Sequence, residues 1–334
     1  MMNNIVDISP LQCDKLMMNN TKVVHEMVMI PSVIGSGEYG IRCLKNKSIL
    51  TTINLHDEKN IEFSGEITSK DIDVMDSIYT IFATGEKCFT LDQVVQVYTG
   101  DMNVKITPKM RREVKKSIDK LMTTIVRIDC TEEFQNRKLI SKDDKMIFNS
   151  NIVHLQYLEG KKAHFTANGR VSSSKVIYRF IGEEAPVLFQ YAKSIGQIIT
   201  VPMNLLTLDA NTELSTEICR YVYRQIHYMK YAKEHKDTGR SNKIALYRYD
   251  AESKEYVGLM AYIGIKREDY VTVHPNGKED THAWRKKKQR VCKIIKNYLD
   301  MLVNEKEIYG YKTYFERNKA GNTKEMTGYE IQIY

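Results

Sequence analysis

The chain lacks most of the short signatures that announce a catalytic or metal-binding protein. Its six cysteines, at 13, 43, 88, 130, 219 and 292, form no C-x-x-C pair and no Cys/His group at zinc spacing, so neither a disulfide framework nor a metal site is expected. None of the eight histidines flanks a single apolar residue together with a second histidine, as a metal-dependent nickase needs, and dense carboxylate clusters are absent. No G-x-x-x-x-G-K-[ST] occurs, which excludes a Walker-type ATPase. "GSGEYG" (35–40) matches the dinucleotide glycine pattern, but "IRCLKNKSILTTINL" behind it is β-like where a long helix would be required, so no nucleotide cofactor is expected. No apolar run approaches the roughly 18 residues of a membrane span, and "MMNNIVDISPLQCDKLMMNN" is not built like a signal peptide. A cytoplasmic protein without cofactor, metal or membrane is the expectation.

Positive charge, by contrast, is plentiful. The 334 residues carry a net charge of +8, which points to an acidic partner if the cations cluster. They do so most densely at "WRKKKQRVCKIIKNYLDML" (284–302), where seven Lys/Arg and no acid occupy the thirteen positions from Trp284 to Lys296.

Apolar periodicity organises the chain around that helix. Residues 1–20 are unpatterned and expected to be flexible, and short β-type runs fill 23–67 ("VVHEMVMI", "SILTTINL", "IEFSGEI"). Three helices follow: 69–85, with Ser69 or Asp71 as cap and Gly85 as stop; "LDQVVQVYTG", capped by Thr90 and closed by Gly100; and the segment that Thr107-Pro108 opens. Alternating segments from "TIVRIDCTEEF" to "KMIFNSNIVHLQYLEG" predict a hairpin with a charged tip at 135–144. Three helices and a hairpin are the order of a winged helix-turn-helix domain, and the order recurs: a long helix over 211–235, the basic helix near 282–305, and a hairpin from Tyr309 to the C-terminus. "APVLFQYAKSIGQIITVPMNLLTL" supplies a helix, a strand and a bend at Pro202 between the halves. The expected fold is α+β, two tandem winged helix-turn-helix domains (66–182 and 183–334) behind a β-rich arm (1–65).

Helical phase separates core from surface on the two basic helices. Met110, Val114, Ile118 and Leu121 fall within an arc of about 80°. Lys109, Arg112 and Lys116 stand opposite. On the later helix Trp284, Val291, Ile295, Tyr298 and Leu302 align, making the chain's single tryptophan a core anchor. Facing away are Lys286, Gln289, Lys293, Lys296 and Asn297, with Arg290 at the edge. Gln and Asn can pair bidentately with adenine, while Lys and Arg reach guanine or phosphate. Seven cations without an acid repel one another by a few tenths of a kcal/mol per i,i+4 pair, an arrangement suited to an external anion. Hairpin-tip residues Lys138, Lys142, Lys145, Arg317 and Lys319 are candidates for flanking phosphates. "HAWR" (282–285) ahead of Tyr309, Tyr311 and Tyr314 matches a fragment of the tyrosine-recombinase site, but its remaining parts are missing and no catalytic residue is assigned.

"DVMDSIYTIFATGEKCFTLDQVVQVYTG", "ITPKMRREVKKSIDKLMTTIVRIDCTEE", "APVLFQYAKSIGQIITVPMNLLTL" and "WRKKKQRVCKIIKNYLDMLVNEKEIYGY" resemble plasmid-type replication initiator proteins of Firmicutes mobile elements. The resemblance spans about 70–334. It implies two winged-helix domains that bind double-stranded origin repeats, open the duplex locally and recruit host replication proteins such as a helicase or its loader, with no chemistry of their own. In such families the first domain can also mediate homodimerisation. A winged-helix transcriptional regulator shares every DNA-binding feature, and a recombinase or nicking enzyme is the third class.

Overall fold

The computed structural model describes residues 11–21, 23, 24, 27, 28, 50–54, 60–64, 67–136, 138–165, 171–208, 212–234, 242–250, 255–317 and 324–334. It is a mixed helix-and-sheet fold that divides into two compact units. One gathers the described residues of 11–21, 50–64 and 71–203, and the other those of 22–39, 66–70 and 204–334.

The first unit begins with β1 (Lys15–Asn19), where the sequence suggested a flexible end. The strand is held from two sides. The backbone N–H of Asn19 donates to Asp76 at 3.2 Å and its side-chain amide donates to the Leu188 carbonyl at 2.8 Å, both bonds buried. Such long-range bonds leave no trace in a local pattern. Strands form as expected in the two later runs, β2 (Leu50–Asn54) and β3 (Asn60–Ser64), and pair with each other, whereas residues 23, 24, 27 and 28 of the "VVHEMVMI" run are helical and buried. The glycine run 35–40 lies outside the described residues.

Local signals place the next helices well. Helix α1 (Ser69–Ala83) buries Ile72, Met75 and Ile78 and ends ahead of Gly85, which takes a left-handed φ of 92°. After β4 (Cys88–Thr90), α2 (Leu91–Thr99) starts on a capping box between Thr90 and Gln93 and closes on Gly100 at φ 72°. Helix α3 (Pro108–Thr123) starts on Thr107, whose hydroxyl accepts the Met110 N–H at 3.2 Å.

The first hairpin departs from expectation. Strands β5 (Ile125–Asp129) and β6 (Ile147–Asn151) do pair antiparallel, but α4 (Thr131–Asn136) opens their connection and β5 also bonds to β3, completing a four-stranded sheet β2-β3-β5-β6. The hairpin that completes the helical set comes later, from β7 (Gln156–Phe165) and β8 (Val171–Ile181), and β8 also pairs with β4. Period-two alternation identifies a strand but not its partner, so the sequence alone favours pairing between neighbouring segments. Helix α5 (Val187–Ser194) and β9 (Ile198–Pro202), which pairs with β1, complete the unit.

The second unit repeats this order. Helix α6 (Glu213–Glu234) is followed by β10 (Lys243–Ala245), a small hairpin of β11 (Arg248–Asp250) and β12 (Glu255–Val257), and the one-turn α7 (Leu259–Tyr262). A second small hairpin, β13 (Thr272–Val273) and β14 (Glu279–Asp280), precedes the long α8 (His282–Asn304). The chain closes with β15 (Gly310–Arg317) and β16 (Lys324–Gln332), whose register shifts between Tyr314 and Phe315. Apart from the β5–α4–β6 insertion in one unit and the two small hairpins in the other, both run helix, short strand, helix, long helix, hairpin, with the short strand on the hairpin's second strand: β4-β8-β7 in one, β10-β16-β15 in the other. Gly328 makes the second sheet possible. A Cβ there would fall on the Ile244 carbonyl oxygen and lie 2.6 Å from the Tyr314 ring.

Candidate nucleic-acid interface

Helix α3 carries six cations, and the structure sorts them. Arg111 is clamped by Asp92 at the start of α2, Nε to Oδ1 at 2.6 Å and a terminal nitrogen to Oδ2 at 2.9 Å. That bond raises the guanidinium pKa above its already high ordinary value. Lys120 reaches Asp71 of α1 at 2.6 Å, a carboxylate whose side chain is only 3% exposed. Lys115 pairs with Asp119 one turn on. The other three, Lys109, Arg112 and Lys116, are exposed and have no ion-pair partner among the described residues. They are the three that helical phase selected. Val114, Ile118 and Leu121 are buried on the opposite side, with Met110 half-buried at the edge.

Helix α8 is built on the same plan with a heavier charge. Trp284, Val291, Ile295, Tyr298, Leu299 and Leu302 are buried, and the Trp284 ring meets Tyr247 edge-on at 4.8 Å. Lys286, Gln289, Arg290, Lys293, Lys296 and Asn297 are all exposed. Arg285, which phase analysis passed over, joins them; its i,i+4 and i,i+8 spacing from Gln289 and Lys293 was the available signal. Lys287 is half-buried with its ammonium 5.5 Å from the Tyr270 ring centre. The N-terminal end of a helix adds its own partial positive charge, and Arg285 and Lys286 stand at the end of the first turn of α8.

The far end of α8 differs in sign. Asn297 lines a groove of about 530 Å³ with Asp300, Met301, Asn304 and Glu305. Asp300 itself accepts a 2.5 Å hydrogen bond from the Tyr311 hydroxyl. Burial and this bond push the phenol pKa well above its usual value. The cationic stretch therefore ends before Asn297, and of the candidates on α8 this residue sits in the least positive surroundings.

The hairpin candidates fare unevenly. Lys138, Lys142 and Lys145 are exposed, but they stand on the connection between α4 and β6, outside the β7–β8 hairpin that completes the helical set. The Arg317 side chain and Lys319 lie outside the described residues. Among the recombinase-like residues, His282 and Arg285 open α8 in solvent, while Tyr311 is committed to Asp300.

No family model matches the chain, including any for the Firmicutes plasmid initiators that its motifs suggested, and no curated protein matches it. Two solved structures align over most of its length. Both are of domains 2 and 3 of RctB, one a selenomethionine derivative. They share 11% identity with this chain, cover 91% and 90% of it and 98% and 96% of themselves, and superpose with TM-scores of 0.40 and 0.39. Overlap at that level carries neither fold nor function across. Among the described residues no helix is long and apolar enough to cross a membrane, and no group of His, Cys, Asp or Glu is arranged to hold a metal ion.

Proposed function

We propose that the chain binds double-stranded DNA sequence-specifically through two winged helix-turn-helix units, and that it acts as a replication initiator of a plasmid or integrative mobile element. The observation that carries this reading is the exposed face of α8, where Arg285, Lys286, Arg290, Lys293 and Lys296 stand beside Gln289 with no acidic partner among the described residues. A cationic face on the long helix before a hairpin suits the negative, groove-shaped surface of a duplex, with α8 or α3 in the major groove and the hairpin tips near flanking phosphates. Lys109, Arg112 and Lys116 give α3 the same role with fewer charges.

On this reading the protein does no chemistry. It positions itself on short repeats, and the bound array recruits host replication proteins such as a helicase or its loader. The test is selection of bound duplexes from the element's own DNA, followed by footprinting and a replication assay. Protected direct repeats that let a plasmid without its own initiator replicate are the expected result. Repeats that bind but do not support replication would favour a transcriptional regulator, and a covalent tyrosine–DNA adduct would replace the proposal with a recombinase or nickase.

A further inference from the structure

The two hairpins share a side-chain detail as well as a topology. Tyr157 is the second residue of β7 and stands opposite Phe180; Tyr178, two residues before that partner, stands opposite Glu159. Tyr311 is the second residue of β15 and stands opposite Ile331; Tyr329, again two residues before that partner, stands opposite Thr313. Each unit thus carries a diagonal tyrosine pair on one face of its hairpin, with ring centres 6.4 Å apart in the first and 6.0 Å in the second.

Both pairs also grip the long helix. In the first unit the Lys115 ammonium of α3 lies 4.6 Å from the centre of the Tyr157 ring and 5.0 Å from that of Tyr178, its side chain only 15% exposed. In the second the Tyr311 hydroxyl donates to Asp300 at 2.5 Å and the Tyr329 hydroxyl donates to the Cys292 carbonyl at 3.2 Å, both on α8. The chemistry of the grip differs between the units while its register is the same.

We propose that the tyrosine pair at the base of each hairpin is a brace that fixes the hairpin on its long helix, making Tyr157, Tyr178, Tyr311 and Tyr329 positioning residues for duplex binding. This rests on the DNA-binding reading above. The third strand of each sheet supports only the base: β4 reaches Arg179 to Ile181, and β10 reaches Gly328 to Glu330. Beyond it, among the described residues, each hairpin is two-stranded, a form that is marginal by itself. Eight residues of strand extend about 26 Å, so a 10° swing at the base moves the tip by roughly 4 to 5 Å, enough to lose a phosphate contact. Lys115 belongs to the brace, and its charge is not offered to DNA.

The test uses the full chain, comparing wild type with the double variant Tyr311→Phe/Tyr329→Phe, with Lys115→Met, and with Lys115→Arg, which keeps a cation on the rings. In the free protein, amide exchange in the hairpin should quicken about tenfold in the first two, stay near wild type in Lys115→Arg, and leave the buried amides of α8 unchanged. On duplex, affinity should fall roughly fivefold and the outermost footprint protections should vanish while the central ones persist. Unchanged hairpin exchange in both the double variant and Lys115→Met overturns the brace. Faster exchange with unaltered footprint and affinity overturns its positioning role. Failure of the wild type to bind any duplex removes the DNA-binding reading, and the positioning role with it, and is told apart because it needs no variant.

Discussion

Replacing Lys120 by Met should cost stability and spare DNA binding, while replacing Lys116 by Met should do the reverse. The two residues sit one turn apart on α3. Lys120 holds Asp71, whose carboxylate is buried, at 2.6 Å, whereas Lys116 is exposed and has no partner among the described residues. Removing one partner of a fully buried ion pair costs about 3 to 5 kcal/mol. The Lys120 side chain is 30% exposed, so water screens the loss and about 2 kcal/mol is the appropriate figure. For a unit of this size that lowers Tm by roughly 4 to 8 °C. Lys116→Met should change stability by no more than about 0.5 kcal/mol. On duplex DNA it should remove one phosphate contact and flatten the log affinity against log salt slope by about 0.9, which Lys120→Met leaves intact. Thermal unfolding and a binding titration at several salt concentrations read the two effects separately. Equal stability for both variants, or a loss of salt slope in Lys120→Met alone, would refute the division of α3 into a paired and a free set.

Other expectations concern α8 and its sheet. Trp284→Ala removes a buried ring that packs on Tyr247 and should destabilise the second unit by about 3 to 5 kcal/mol, measured by urea unfolding. Gly328→Ala should lower Tm because the new methyl meets the Ile244 backbone carbonyl, and strain of that kind costs about 1 to 3 kcal/mol. Gln289→Ala and Arg290→Ala should leave Tm unchanged and relax base preference at one or two positions of the selected site, at about 1 to 3 kcal/mol per lost bidentate contact. Unchanged preference would remove those two residues from the recognition surface.

The helices were legible because their signals are local. Thr90, Thr107-Pro108, Gly85 and Gly100 marked the boundaries of α1, α2 and α3, and phase put Trp284 inside and Lys286 outside. The sheets were not, because their partners are far apart in sequence: β4 meets β8 some ninety residues later, and β5 finds β3 across three helices. For the same reason local alternation puts the first hairpin at 124–160, and β8, whose opening "VSSSK" hides its alternation, gives no strand signal. Charge count alone could not divide the cations of α3 either. What neutralises Arg111 and Lys120 is Asp92 and Asp71, each brought in by another helix, and only the folded chain places them. The equivalent tyrosines needed the register of both hairpins before they could be matched.

The central claim is that the exposed cations of α3 and α8 dock on duplex DNA. Its most direct test is the salt dependence of affinity for a duplex recovered by selection. If about six of these cations meet phosphates, log affinity should fall against log salt with a slope near −5. Binding that is absent, or that does not weaken with salt, would contradict the account.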